Sequence, residues 1–246
     1  MFACKKLVTI SLGLLLSACQ SLLPGHSPLP VQRVAWESIQ PGCTGDTCPL
    51  VNIDTLIFPD ETQLNGLIEQ RLLQMTNDSP GAPLPASLQS YEKDFLHSAQ
   101  HGWHSYLQAK VREQHDQLVI IELSSYLSTG GAHGMPGRGF INYDRRLQKA
   151  LSLQDLLLPG QTDAFWSLAG QAHQRWLTAN QLDQNPEYIG NWPFERTENV
   201  ALGQAEVLLK YDVYSIAPYS SGHPQLTIPY SQLQGILKPQ YFPARD

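Results

Sequence analysis

The alternation of apolar and polar residues predicts strands and helices along most of the chain. A period of two, rich in β-branched residues, predicts strands at residues 52–58, 103–112, 117–127, 139–144, 199–202, 206–216 and 225–228. A helical period predicts helices that begin near Asp60, Ser87 and Thr162, and a further helix at residues 231–237. The sequence of residues 152–155 is typical of a capping box at the start of a short helix.

The order of these elements predicts an α+β fold, with antiparallel sheet and helices packed on one face. Helices followed by strands occur twice, so the predicted domain at residues 50–240 divides into two halves, 50–145 and 146–240. The two halves show no residue-level repeat that would prove them related.

The first 18 residues have the pattern of a bacterial lipoprotein signal peptide. A short basic segment precedes an apolar run from Leu7 to Leu16, which is too short for a permanent membrane span. Small residues then lead to Cys19, whose thiol is expected to carry acyl chains such as palmitate and to anchor the mature protein in the membrane. Gln20, rather than Asp, favours the periplasmic face of the outer membrane in a Gram-negative envelope.

Residues 19–49 are rich in proline and glycine, which predicts a tether between the lipid and the domain. The tether contains Cys43 and Cys48. They are the two cysteines that would keep free thiols in an oxidising compartment, so we expect a disulfide between them.

The charge balance and the missing motifs narrow the function classes. Loss of Lys5 and Lys6 with the signal peptide leaves 14 of the 16 basic residues against 22 acidic ones, so nucleic acid is not an expected partner. The common catalytic, phosphate-binding and zinc-protease patterns are absent from the sequence. We therefore predict no catalysis, no cofactor and no metal.

Two ordered motifs carry a family resemblance. The first comprises residues 126–134, 142–144 and 151–157, and the second comprises residues 210–222 and 226–233. Together they resemble the extracytoplasmic domain of the anti-sigma factor RsiV, a domain that also accompanies some peptidoglycan deacetylases. RsiV is a lysozyme receptor, so the resemblance implies lysozyme-type proteins as partners. RsiV has a cytosolic sigma-binding segment and a membrane span, whereas this sequence has a predicted lipid anchor instead. The resemblance therefore implies no anti-sigma role.

Two loops contain most of the candidate binding residues. Residues 129–134 and 218–224 each follow a predicted strand, and both are rich in glycine and small polar residues. If both halves share one sheet direction, these loops lie at the same end of the sheet. The candidates are Gly130, Gly131, His133, Gly134, Tyr219, Ser221 and His223, with Trp192 as an exposed aromatic in a separate polar loop.

Three hypotheses follow for the function. The first is a lipid-anchored envelope protein that binds a cell-wall glycan, such as peptidoglycan, or an envelope or lysozyme-type protein. The second is a cell-wall hydrolase or deacetylase that uses His133, Asp144, or Asp94, His97 and His101 on one helical face. The third is a structural envelope lipoprotein.

Overall fold

The computed structural model describes residues 27–77, 81 and 83–244. The predicted signal peptide at residues 1–18 and the predicted lipidation site Cys19 lie outside these residues. Within the described part of the chain, no helix combines the length and apolar character required to cross a membrane.

The first half of the chain forms a six-stranded sheet. Its strands, in spatial as well as chain order, are β1 (Gln32–Ile39), β2 (Leu50–Ile57), β3 (His104–His115), β4 (Leu118–Ser128), β5 (Met135–Asp144) and β6 (Lys149–Ala150). Four of the five neighbouring pairs are antiparallel. The pair β2–β3 is parallel, which corrects the prediction of an antiparallel sheet. Two helices connect these strands, and a crossover of this length allows the chain to re-enter the sheet in the same direction.

The two crossover helices are α1 (Thr62–Gln74) and α2 (Leu88–Ser98). Helix α2 begins as predicted, because the Ser87 side chain accepts a hydrogen bond from the Ser90 N–H. Helix α1 has Glu61, not Asp60, at its N-cap and no side-chain cap. Both helices bury apolar residues against one face of the large sheet, including Leu64, Ile68 and Tyr91.

The second half contains α3 (Leu153–Leu156), α4 (Thr162–Ala179) and α5 (Pro186–Asn191), followed by a three-stranded antiparallel sheet. The capping box is confirmed, since Ser152 and Asp155 exchange hydrogen bonds at the start of α3. The strands are β7 (Val200–Leu202), β8 (Glu206–Lys210) and β9 (Gln225–Pro229). The predicted helix at residues 231–237 is wrong: the only helical part of this region is the end of a 3₁₀ turn, Tyr230–Gln232.

The elements form four layers: α1 and α2, the large sheet, the small sheet, and α4. Strand β4 alternates between two cores, with Val119 and Ile121 facing α1 and α2 and with Leu118 and Ile120 facing the small sheet. Strand β8 is buried on both faces because the large sheet covers one face and α4 the other. The α+β prediction is confirmed, and each sheet has its helices on one face.

The described part of the predicted tether contains regular secondary structure. Residues 32–39 form β1, the edge strand, which pairs with β2 along its full length. This segment alternates between polar and partly buried side chains, so it adds to the sheet despite the prolines around it. The predicted disulfide is confirmed: Cys43 and Cys48 are bonded in the β1–β2 connection, with Cα atoms 5.8 Å apart and Cys48 buried.

Stability should fall in mild acid because of His173. This histidine of α4 is 2% exposed, neither ring nitrogen has a hydrogen-bond partner, and its ring stacks on Trp176 with centroids 6.0 Å apart. Burial lowers the pKa of His173, so below about pH 6.5 the unfolded state binds a proton that the folded state does not. The free energy of unfolding should therefore fall by up to about 1.4 kcal/mol per pH unit from this group.

The test compares the wild type with His173→Phe, which keeps an aromatic ring against Trp176. Denaturant unfolding at pH 8, 7, 6 and 5 should show a shallower loss of stability in the variant. His223, whose pKa burial also lowers, is present in both proteins and cancels in the comparison. Equal slopes in the two proteins would rule out His173 as a source of acid sensitivity.

Candidate functional site

Four aromatic rings from three segments meet on one surface, and we call them the aromatic patch: His133, Trp192, Tyr214 and Tyr219. The rings of His133 and Tyr219 are stacked, with centroids 3.9 Å apart and planes at 25°. Tyr214 lies beside both of these rings, and the ring of Trp192 is nearly parallel to it at 6.4 Å. The patch thus extends across the end of the molecule where β4 turns into β5.

Hydrogen bonds fix the orientation of His133. Its Nδ1 lies 3.1 Å from the carbonyl oxygen of Gly134, which can only accept, so Nδ1 carries the hydrogen. In the neutral ring Nε2 is then an acceptor, and the Tyr214 hydroxyl donates to it at 3.3 Å. The Tyr219 hydroxyl donates to the same Gly134 carbonyl at 3.1 Å. The two loops are therefore held together by the backbone of Gly134.

Tyr214 has an unusual backbone conformation for a large side chain. Its φ is +66°, a region that non-glycine residues rarely occupy, and 46% of its surface is exposed. A conformation of this kind costs about 1–3 kcal/mol and is found preferentially at functional sites. The strained backbone of Tyr214 holds its ring at the surface, where the ring adds nothing to core packing. This arrangement favours a role for the ring in binding.

Trp192 reaches the patch from the end of α5. The helix begins at Pro186, and the Asn185 side chain accepts from the Tyr188 N–H as its N-cap. Trp192 is the C-cap residue, and its N–H donates to the Tyr188 carbonyl. Its side chain is half-buried rather than fully exposed, because one face contacts Tyr214.

The glycines of the β4–β5 loop have conformational and steric roles. Gly130 and Gly131 both have φ near +92°, which favours glycine. Gly134 has no space for a side chain, since a Cβ atom would lie 2.5 Å from the Tyr126 ring and 2.7 Å from the Leu127 carbonyl oxygen. These residues shape the loop that presents His133.

His223 and Ser221 are placed differently from His133 and Tyr219. His223 donates through Nδ1 to the Tyr211 carbonyl at 3.0 Å and lies 3.9 Å from Asp212. Among the described residues, the ring of His223 makes no aromatic contact with His133 or Tyr219. Burial and the charge of Arg138 lower the pKa of His223. Ser221 is exposed in the 3₁₀ turn Tyr219–Ser221.

The structure separates His101 from Asp94 and His97, the other members of the predicted cluster, which lie in α2. Helix α2 ends at Ser98, so His101 lies outside it and instead contacts Thr47, 3.2 Å away. In the described chain, no group of three or more histidine, cysteine or acidic side chains could hold a metal. Asp144 is fully buried, and its Oδ1 accepts the backbone N–H groups of Arg146 and Leu147 in the β5–β6 turn.

Sequence reasoning did not select Tyr214 or Arg138 as site residues. Tyr214 lies within the predicted strand 206–216, which in the structure ends at Lys210, and its left-handed backbone has no sequence signature. Arg138 stands between two glycines in β5, and this unusual setting for an arginine is a signal that could have marked it.

Comparison with known proteins places the chain in a family. The family model described as "Protein of unknown function (DUF3298)" matches residues 154–231. A crystal structure of a DUF3298 family protein from Pseudomonas aeruginosa PAO1 is 64% identical, covering 89% of this chain and 99% of that one, with a TM-score of 0.87. The chain belongs to the DUF3298 family.

A more distant DUF3298 structure agrees in fold. A member of the family from Bacteroides fragilis NCTC 9343 is 18% identical, with a TM-score of 0.66 over 87% of this chain and 95% of that one. No curated protein matches the sequence. The region that matches the family model contains Trp192, Tyr214 and Tyr219 but not His133, so it includes three of the four rings of the aromatic patch.

Proposed function

We propose that this DUF3298 protein is a lipid-anchored envelope protein, without catalytic activity, that binds a cell-wall glycan on the aromatic patch. The observation that carries the proposal is the convergence of four rings from three segments on an exposed surface, with Tyr214 in a strained conformation. Rings of this kind combine an apolar face with polar edges. The C–H face of a pyranose packs on such a face, and its hydroxyls bond with the edges.

The geometry suits a ligand that lies across the surface rather than inside a closed site. Tyr214 is 46% exposed and Trp192 lies beside it, with ring centroids 6.4 Å apart, so the aromatic surface is open to solvent. The hydroxyl groups of Tyr214 and Tyr219 stand beside it as polar partners. Aromatic residues at the centre of a binding surface commonly contribute most of its affinity.

The test is binding of soluble chitin oligosaccharides and peptidoglycan fragments to the purified protein. Tyr214→Ala and Trp192→Ala should each weaken binding by about 5- to 30-fold, corresponding to roughly 1–2 kcal/mol of lost contact. Tyr106→Ala is the matched control, because Tyr106 is 39% exposed on β3 and contacts Tyr126 and His104 rather than a patch ring. Full affinity in both patch variants would reject the glycan site.

A lysozyme-type protein is the second candidate, supported by the RsiV resemblance and by the acidic balance of 22 acidic to 16 basic residues. Attraction between an acidic surface and a basic protein weakens with salt, whereas stacking of a neutral sugar does not. Lysozyme binding that falls steeply from 50 to 300 mM salt, with no glycan binding, would favour this candidate. If the protein binds neither lysozyme nor glycans, the result would favour a structural lipoprotein.

A further inference from the structure

A second site lies at the free edge of β5, where the two halves of the molecule meet. A cavity of about 560 Å³ is bounded by the end of α1, by β5, by the segment before and within α3, by the start of α4 and by residues 196–200. Strand β6 pairs only with the last two residues of β5, so the edge from Arg138 to Phe140 faces this space. The volume is in the range of small-molecule sites.

The cavity is positively charged in a chain that is acidic as a whole. Three arginines line it, Arg71, Arg138 and Arg196, whereas Glu198 is the single carboxylate among its described lining residues. The formal net charge of the chain is −6. Arg196 also forms an exposed ion pair with Asp163 at 3.2 Å, and exposed pairs of this kind are weak. The local excess of guanidinium groups against this acidic background indicates a site for negative charge.

Arg138 is half-buried, and its described contacts use only part of the five N–H donors of its guanidinium. Its guanidinium donates to the Gly137 carbonyl at 2.8 Å, and no described carboxylate lies within ion-pair distance of it. The nearby acids are engaged elsewhere. Asp212 accepts the backbone N–H of Arg138 at 2.7 Å.

Glu122, the other acid near Arg138, is shared by two other cations. Arg112 binds it at 2.9 Å, and Lys210 binds its second oxygen. Burial lowers the pKa of Arg138, which means that the folded protein holds this charge with incomplete compensation. An incoming oxyanion would supply the missing partner, and a guanidinium can bind one through two parallel hydrogen bonds.

Part of the remaining wall is apolar, beside polar side chains such as Gln154 and Asn199. Phe140 and Leu123 contribute from β5 and β4, and Trp166 of α4 is 8% exposed, with the Arg196 guanidinium 5.6 Å from its ring centroid. We propose that this cavity binds a small organic anion, with its oxyanion on Arg138 and Arg196 and its apolar body against Phe140 and Trp166. Carboxylates and phosphate esters share this chemistry.

The experiment titrates the purified protein with phenylacetate, phenyl phosphate and the neutral phenylacetamide, using calorimetry and thermal shift. At least one anion should bind, and phenylacetamide should bind at least about 10-fold more weakly, since charge-assisted hydrogen bonds to arginine are lost. Tighter binding of phenylacetate would identify a carboxylate site, and tighter binding of phenyl phosphate a phosphate site. Equal affinity for the amide, or no binding of either anion at millimolar concentration, would overturn the proposal.

Variants locate the binding. Arg138→Gln should weaken anion binding by about 10-fold or more, and Arg196→Gln, at the exposed rim, should weaken it to a smaller extent. Arg146→Gln is the control, because this exposed arginine loses the same charge but does not line the cavity. If Arg138→Gln does not fold, the comparison of Arg196→Gln with Arg146→Gln tests the site. Equal losses in Arg196→Gln and Arg146→Gln would show a nonspecific charge effect and reject the site.

Discussion

Replacement of Asn142 by leucine should lower the free energy of unfolding by about 2–5 kcal/mol. Asn142 is 5% exposed in β5, and its amide joins the large sheet to the small one. Its Nδ2 donates to the Val200 carbonyl at 2.7 Å, and its Oδ1 accepts the Leu202 N–H at 2.8 Å. Leucine would fill the space but would leave two buried backbone groups without partners, each costing about 1–3 kcal/mol.

Denaturant unfolding measures this loss, and amide hydrogen exchange localises it to the Leu202 N–H. The control is Asn52→Leu, where the amide donates to the exposed Glu37 carboxylate at 2.8 Å. There the expected change is about 0.5 kcal/mol or less. A decrease below about 1 kcal/mol for Asn142→Leu would mean that apolar packing, and not this amide, joins the two sheets.

Replacement of Gly134 by alanine should destabilise the protein by about 1–3 kcal/mol, as expected for overpacking. The added methyl group would lie 2.5 Å from the Tyr126 ring and 2.7 Å from the Leu127 carbonyl oxygen. The ring could move, but the backbone oxygen belongs to β4 and is held by the sheet. Any shift of Gly134 also disturbs its carbonyl, which both His133 and Tyr219 contact, so glycan binding should weaken as well.

Gly66→Ala is the control with the opposite expected sign. Gly66 is exposed in the interior of α1, and a Cβ there has no atom within 4 Å. Alanine should stabilise the protein by about 0.5–1 kcal/mol because it restricts the unfolded chain. Thermal and denaturant unfolding of both variants provide the measurement. A Gly134→Ala protein as stable as the wild type would show that Gly134 is not sterically required.

The aromatic patch and the cavity lined by Arg71, Arg138 and Arg196 are separate sites with different chemistry. The patch is an open surface formed mainly by rings, and the cavity is a recess whose charge comes from arginines. The patch variants can therefore be assayed with neutral sugars and the cavity variants with small anions. Each experiment can fail without affecting the interpretation of the other.

The sequence by itself determined the type and position of most elements, because their signals are local. The alternation in β4 and β5, the capping box at Ser152 and the cap at Ser87 each depend on neighbours a few residues away. The pairing of Cys43 with Cys48 was predicted by counting the cysteines that would remain after the expected signal removal and lipidation. The loops that contain His133 and Tyr219 were predicted to lie at one end only if both halves share one sheet direction. In the structure the two rings stack, although β4 and β8 belong to different sheets.

Only the tertiary structure decided the features that depend on distant residues. The parallel pairing of β2 with β3 and the addition of β1 to the sheet edge are set by which strands can pair after the helices pack. Tyr214 joins the patch through a left-handed backbone that no local pattern encodes. Arg138 lacks a carboxylate partner because Glu122 and Asp212, which lie near it in the fold, bind other groups, and such competition arises only when the whole chain is folded.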